Sequence, residues 1–173
     1  MLGNFIKFEG EYFQGKKWNG KGYDNNGNII YELINGNGKI KEHIEKDKLI
    51  YEGEYLNGEK NGKGKEYDIL GKLIFEGEYL KGEKNGKGKE YYNNGILIFE
   101  GEYLNGKKYN GKGYDSKGNI TYELINGDGK ILEYDEDGKL LFECECFNGQ
   151  IKKEKSYHLY WFCFSENTHR IWI

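Results

Sequence analysis

A five-residue pattern, an aromatic residue followed by Glu-Gly-Glu-Tyr, recurs along the chain and constrains its fold more than any other feature. It occurs at residues 8–12, 51–55, 75–79 and 99–103, and the last three copies are 24 residues apart. Residues 142–146, Phe-Glu-Cys-Glu-Cys, are a degenerate copy. A fixed period of this size predicts stacked supersecondary units rather than a globule with one active site.

A second level of repetition fills the gap between the first two copies. Variant units begin at Tyr31 and Tyr122 with Tyr-Glu-Leu-Ile-Asn-Gly, and residues 8–50 match residues 99–141 with a constant shift of 91. The nested pattern predicts an array at residues 1–149. Its units are 8–30, 31–50, 51–74, 75–98, 99–121, 122–141 and a partial unit at 142–149.

The composition favours an ordered all-β chain. The sequence has 27 Gly, 16 Tyr and no Pro, and it contains neither Ala nor Val, which argues against helices. Mean hydropathy is −0.91, but aromatic residues make up 16% of the chain, far more than disordered segments carry. The net charge of −3 comes from interleaved acids and bases, so nucleic acid is a poor candidate partner.

Targeting and redox signals favour an intracellular protein. No apolar run approaches the roughly 18 residues that span a bilayer, and the N-terminus lacks the regions of a signal peptide. The three Cys, an odd number, lie at 144, 146 and 163. This count argues against a disulfide framework and favours a reducing compartment.

Residues 73–80 show how one unit should fold. Rings and a Gly alternate with carboxylates at period two, which predicts a strand with a ring-Gly-ring face and an acidic face. We expect a loop at 81–86, a second strand at 87–92 and a hairpin turn at 93–95, where Asn-Gly tolerates positive φ. Each unit is then a β-hairpin, and about 13 strands at roughly 4.8 Å give a ribbon on the order of 60 Å long.

Charges on the acidic face suggest cross-strand ion pairs. Lys87 and Lys89 share one face of their strand, and we expect that face to be the one that carries Glu76 and Glu78. Such pairs contribute a few tenths of a kcal/mol up to about 1 kcal/mol each.

The unit at 75–98 resembles the MORN repeat (membrane occupation and recognition nexus). The match is clearest at 51–74 and 75–98 and extends over about 8–149, with the largest departures at 31–50 and 122–141. The resemblance implies an elongated single-layer antiparallel sheet of tandem hairpins. It also implies a scaffold whose aromatic groove or ends meet other proteins, including copies of itself. The groove residues predicted to bind protein are Tyr51, Tyr55, Phe75, Tyr79, Phe99 and Tyr103.

The wording of residues 54–67 is similar to MORN-like proteins of large DNA viruses of amoebae, such as marseilleviruses. That resemblance implies a component of a particle shell or assembly body, with viral shell proteins as partners and the virion as a location. Two alternatives stay open beside the scaffold: a membrane-associated lipid-binding module and a non-catalytic partner of an enzyme.

Residues 150–173 break the pattern, because they contain no Gly and hold the only Arg. Three interpretations stay open: a cap for the last hairpin, a frameshifted remnant of further repeats, or a docking segment. The aromatic residues predicted to contact protein here are Trp161, Phe162, Phe164 and Trp172.

The residues that could suggest a catalytic or metal site are better explained by structural roles. The Glu-x-Glu pairs recur in unit after unit with Lys nearby, which indicates a solvated face rather than an acid–base pair. Cys144 and Cys146 with Cys163 lack the Cys-x2-4-Cys spacing and the fourth ligand of a structural zinc site. His43 stands where the twin unit has Tyr134, which indicates a packing role. The sequence therefore predicts a non-enzymatic protein with no catalytic, cofactor or metal site.

Overall fold

A computed structural model describes residues 7–44, 48–135 and 137–157, and these form fourteen strands and no helix. The all-β prediction is confirmed, with fourteen strands where about 13 were expected. No helix in the described ranges is long and apolar enough to cross a bilayer. The strands are β1 (Phe8–Phe13), β2 (Lys16–Tyr23), β3 (Ile29–Leu33), β4 (Gly38–Ile44), β5 (Lys48–Leu56), β6 (Glu59–Tyr67), β7 (Leu73–Leu80), β8 (Glu83–Tyr91), β9 (Leu97–Leu104), β10 (Lys107–Tyr114), β11 (Ile120–Leu124), β12 (Gly129–Tyr134), β13 (Leu140–Phe147) and β14 (Gln150–Ser156).

Consecutive strands form seven hairpins, each closed by a tight two-residue turn. In the third hairpin Asn57 and Gly58 have φ values of 54° and 76°, the conformation that matches the twist of paired strands. The seven turns are Gln14-Gly15, Asn35-Gly36, Asn57-Gly58, Lys81-Gly82, Asn105-Gly106, Asn126-Gly127 and Asn148-Gly149. We call the edge of the array formed by these turns the tight-turn rim.

Wider turns connect one hairpin to the next on the opposite edge, the wide-turn rim. Between β6 and β7, the N–H of Gly71 donates to the Asp68 carbonyl at 3.0 Å. The N–H groups of Leu70 and Lys72 donate to Asp68 Oδ1 at 2.8 and 2.9 Å. The Asp side chain thus replaces backbone partners within the turn.

These turns correct the predicted layout of the unit at 75–98. The tight hairpin turn is Lys81-Gly82, and residues 83–86, predicted as loop, belong to β8. Asn94-Gly95, predicted as the hairpin turn, lies in a wide turn in which only Gly95 has positive φ, at 85°. Sequence preference favours Asn over Lys at a positive-φ position, so the turn at Lys81 was missed.

The hairpins add edge to edge in antiparallel order, as predicted, but their ladder is interrupted twice. The three sheets contain β1 to β3, β4 to β11 and β12 to β14, and within each sheet every strand lies next to its neighbours in sequence. The interruptions fall inside the two shortened hairpins, where single bridges Ile34↔Asn37 and Ile125↔Asp128 replace a ladder. These hairpins lack the Glu-Gly-Glu core, so the predicted continuous sheet is three sheets.

Hydrogen bonds along the tight-turn rim join every pair of successive hairpins. The Gly82 N–H donates to the Lys60 carbonyl at 2.9 Å, and the Gly106 N–H donates in the same way to Lys84 at 2.9 Å. The other four bonds are Gly36 to Trp18, Gly58 to Gly36, Gly127 to Tyr109 and Gly149 to Gly127, at 2.7, 2.8, 2.7 and 3.0 Å. The rim is therefore continuous where the strand ladders are not.

Aromatic rings form the core on one face of the hairpins. Phe75 lies over a pair of facing glycines, Gly77 in β7 and Gly88 in β8. A Cβ atom at Gly88 would lie 2.7 Å from Phe75 Cζ and 3.1 Å from Tyr103 Cε2. The two facing glycines thus leave room for a ring from β7 and one from the next hairpin.

Residues 150–156, which the sequence placed in the tail, form β14 and pair with β13. They complete the seventh hairpin. The tail residues predicted to contact protein, Trp161, Phe162, Phe164 and Trp172, lie outside the described residues.

Candidate interaction surfaces

The ring residues predicted to bind protein lie side by side on one face, which we call the aromatic face. Five of them are almost fully covered: Tyr51, Phe75, Phe99, Tyr79 and Tyr103 are exposed by 1, 1, 0, 4 and 4%. Tyr55 is half-buried. Protein binding through these rings stays a prediction, and a partner on this face would first meet the groups that cover the rings.

Lysine side chains provide much of that cover. Lys84 Nζ lies 3.9 Å from the centroid of the Phe75 ring, and Lys60 Nζ lies 4.1 Å from that of Tyr51. Lys108 Nζ is 5.0 Å from the Phe99 centroid. An ammonium group over a ring face is attracted by the ring quadrupole, and its alkyl chain covers apolar surface.

Glutamates alternate with these lysines and form a chain of ion pairs, the charge ladder, along the aromatic face. It contains Lys60, Glu66, Lys84, Glu90, Lys108 and Glu133, and its successive N···O distances are 2.9, 3.5, 3.6, 2.9 and 3.5 Å. Its side chains are exposed by only 11 to 24%. Every interior member thus bonds in two directions, which links neighbouring hairpins.

The ladder ends where the repeat changes. Ile151 faces Cys146 in the last hairpin as Lys60 faces Tyr55 in the third, so an apolar residue takes the next lysine position.

Burial and charge on this face shift pKa values in predictable directions. Burial acts to raise the pKa of Glu66, but the ammonium groups of Lys84 and Lys60 outweigh it and hold that pKa below its ordinary value of 4.5. Burial, reinforced by the Glu66 charge, raises the pKa of Tyr79. Glu66 therefore stays ionised and Tyr79 neutral at physiological pH, which preserves the ladder.

The opposite face, which we call the outer face, carries the repeated Glu-x-Glu pairs. Glu76 and Lys89 face each other across β7 and β8, so the predicted common face is confirmed. Lys89 forms its ion pair with Glu100 of the next hairpin, at 3.0 Å. Glu76 accepts a hydrogen bond from Tyr91 Oη at 2.7 Å, and Glu78 accepts one from the Lys87 backbone N–H at 3.0 Å.

An apolar residue on the outer face precedes every tight turn, and sequence reasoning missed this set. We call it the apolar rim: Phe13, Ile34, Leu56, Leu80, Leu104, Ile125 and Phe147, exposed by 44 to 64%. In β7, Tyr79 packs in the core, so the adjacent Leu80 faces the other way. The signal that could have found it is a Leu, Ile or Phe immediately before each Xaa-Gly turn.

Periodicity gives the apolar rim its significance. Single exposed apolar side chains are normal on soluble proteins, whereas these recur at the same position before every tight turn. With two strands per hairpin at roughly 4.8 Å each, successive rim residues are about 10 Å apart, and the row is on the order of 60 Å long.

Cys144 and Cys146 project toward the aromatic side of the last hairpin, with their Sγ atoms 3.6 Å apart. The hydrogen bond from Cys144, together with the Lys108 charge and against the effect of burial, lowers the pKa of Cys146 to about 7. Among the described residues, no three His, Cys, Asp or Glu side chains gather as metal ligands. Cys163 lies outside the described residues.

Comparison with protein families agrees with this geometry. The MORN repeat family model matches residues 51–68 and 75–96, which fall in the third and fourth hairpins. No curated protein matches the chain. MORN repeats are generally protein- or membrane-interaction modules and are generally non-catalytic. Residues 51–68 and 75–96 are therefore similar to MORN repeats.

Proposed function

We propose that this protein is a non-enzymatic scaffold that holds other proteins along its apolar rim. The observation that carries the proposal is the row of seven exposed apolar side chains, one before each tight turn. Such a row suits an elongated partner, or several copies of one partner, because the same contact is offered once per hairpin.

The rest of the fold supports this use of the rim. Hydrogen bonds between turns fix each rim position relative to the next, and the charge ladder ties the hairpins together on the aromatic face. A surface held in its binding geometry loses less conformational entropy on binding than a flexible one. In this proposal the buried rings support the scaffold from within.

An experiment with matched variants tests the rim. The triple variant L56N/L80N/L104N makes three central rim positions polar. The control variant I69N/L70N/I120N does the same to apolar residues on the wide-turn rim, which are exposed by 59, 68 and 57%. Proteins captured by tagged chains in the native cell would be quantified by mass spectrometry.

We expect the wild type and the control variant to retain one common set of proteins and the rim variant to lose it. Equal capture by the rim variant and the wild type would overturn the proposal. Co-sedimentation with zwitterionic and anionic vesicles tests the membrane alternative. Vesicle binding that the rim variant abolishes would move the function from protein to lipid.

The finer proposal places the scaffold in the shell or assembly body of a large DNA virus, with shell proteins as partners. It rests only on the amino-acid sequence of residues 54–67. Mass spectrometry of purified particles tests it, because a structural component would be present in a fixed ratio to the major shell protein. Its absence from particles would leave an intracellular scaffold.

A further inference from the structure

Among the described residues, the first and last strands of the array each pair on one side only. β1 pairs with β2, and β14 pairs with β13. All seven residues of β14 are exposed, and so are five of the six in β1. A strand with an unpaired edge presents a row of N–H and C=O groups that another strand can pair with.

The interior junctions show which strands fit together. At three of the six junctions, where the second strand of one hairpin meets the first strand of the next, two lysines face two glutamates. Lys87 and Lys89 of β8 face Glu102 and Glu100 of β9. The same arrangement joins β6 to β7 through Lys63 and Lys65, and β4 to β5 through Lys39 and Lys41.

The two end strands carry the two halves of this junction. β1 is the counterpart of β9, because residues 8–50 and 99–141 match with a shift of 91, so Glu9 and Glu11 correspond to the two glutamates of β9. β14 is the counterpart of β8, because Lys155 faces Glu143 in β13 as Lys89 faces Glu76 in β7. Lys153 then corresponds to Lys87.

We propose that β14 of one molecule pairs with β1 of a second copy, in the register of the β8–β9 junction. Lys153 would face Glu11, and Lys155 would face Glu9, so both lysines meet a carboxylate. This inference names a second copy as the partner of the strand edges, and it does not depend on what binds the apolar rim.

Exposed apolar groups at the two ends fit the same register. Tyr103 of β9 is 4% exposed because Phe75 and Lys84 of the preceding hairpin lie against it, whereas its counterpart Tyr12 is 60% exposed. The counterpart of Lys84 in the last hairpin is Ile151, which is 53% exposed. Pairing of the ends places Ile151 against Tyr12.

Contacts between different surfaces on the two copies are head-to-tail. Repetition of such a contact produces an open filament, or a ring where the rotation closes. The assembly would therefore grow beyond a dimer, into a filament or a closed ring.

Sedimentation velocity on the purified full-length chain, over a range of concentrations, tests the inference. Variant E9K/E11K reverses the charges of one edge, and variant K153E/K155E reverses those of the other. The control E32K/E123K makes the same change in net charge as the first variant, at exposed residues outside the two edge strands. Circular dichroism verifies that each variant retains its β-sheet spectrum.

We expect the wild type and the control to assemble, and each edge variant to weaken assembly by roughly tenfold or more, because two attractive pairs become repulsive. An equal mixture of the two edge variants should assemble again, because lysines then face glutamates at every junction. A wild type that is monomeric at all concentrations would overturn the inference, as would edge variants that assemble normally or a mixture that fails to recover.

Discussion

Lys84 lies with its ammonium group 3.9 Å above the Phe75 ring, and these two side chains connect the core to the charge ladder. The same ammonium group is 3.5 Å from Glu66 and 3.6 Å from Glu90, which belong to two successive hairpins. Lys84 thus covers the central ring of its own hairpin and joins that hairpin to the preceding one.

Substitution of Lys84 by Met should lower the free energy of unfolding by about 2 kcal/mol, because two partly buried carboxylates lose a counter-charge. The methionine still covers Phe75, so the loss of stability comes mainly from the missing charge and not from lost packing. Urea unfolding monitored by circular dichroism measures it. Lys87→Met, at an exposed position of the same strand, is the control and should change stability by less than about 0.5 kcal/mol. Equal losses of stability in Lys84→Met and Lys87→Met would contradict the stabilising role of the charge ladder.

Lowering the pH should reduce the difference in free energy of unfolding between the wild type and Lys84→Met. Glu66 has a pKa below its ordinary value of 4.5, so its ion pairs contribute stability above that pH, and the contribution is lost as pH falls through the folded-state pKa. In Lys84→Met that pKa moves upward and less stability remains to be lost. Urea unfolding of both proteins between pH 7 and pH 3 tests this. A difference in free energy of unfolding that stays constant from pH 7 to pH 3 would contradict this prediction.

Substitution of Gly88 by Ala should destabilise the array by about 1–3 kcal/mol, because the new methyl group overpacks the space beneath Phe75 and Tyr103. The backbone at Gly88 is extended, so the cost comes from crowding rather than from φ. Phe75→Leu in the same chain should recover part of the loss, and the coupling in a double-mutant cycle measures how much. Strict additivity would show that the ring and the glycine do not share that space.

Cys146 should react with iodoacetamide with a pH midpoint near 7, because its pKa is lowered to about 7 and the thiolate is the reactive form. Cys144, exposed by 2%, should react far more slowly in the folded chain. Peptide-resolved mass spectrometry separates these cysteines from Cys163. Cys144→Ala removes the hydrogen bond and should move the Cys146 midpoint upward, whereas an unchanged midpoint would exclude Cys144 as the cause.

Repetition made much of the fold predictable, because the same local sequence pattern recurs in successive hairpins. The 24-residue period and the period-two alternation predicted paired strands, one ring-bearing face and one charged face. The predicted ring-Gly-ring face is found in β7, where Gly77 lies beneath Phe75.

What the sequence did not predict depends on relations between hairpins. The lysines over the rings come from second strands, where Lys84 was assigned to a loop, so the aromatic face was expected to be an open groove. The apolar rim was missed because Leu80 was considered only as one more residue of its strand. The two breaks in strand pairing fall in the shortened hairpins, which lack the Glu-Gly-Glu core, and the sequence showed that these units depart from the repeat but not that pairing stops within them.

Residue-resolved crosslinking in the native cell tests the central claim, that partners bind along the apolar rim, most directly. Lys81 and Lys107 are exposed on the tight-turn rim beside Leu80 and Leu104, whereas Lys72 and Lys117 are exposed on the wide-turn rim. We predict that crosslinks to other proteins concentrate at Lys81 and Lys107 and disappear in L56N/L80N/L104N. Crosslinks that concentrate at Lys72 and Lys117, or that persist unchanged in the rim variant, would contradict the scaffold described above.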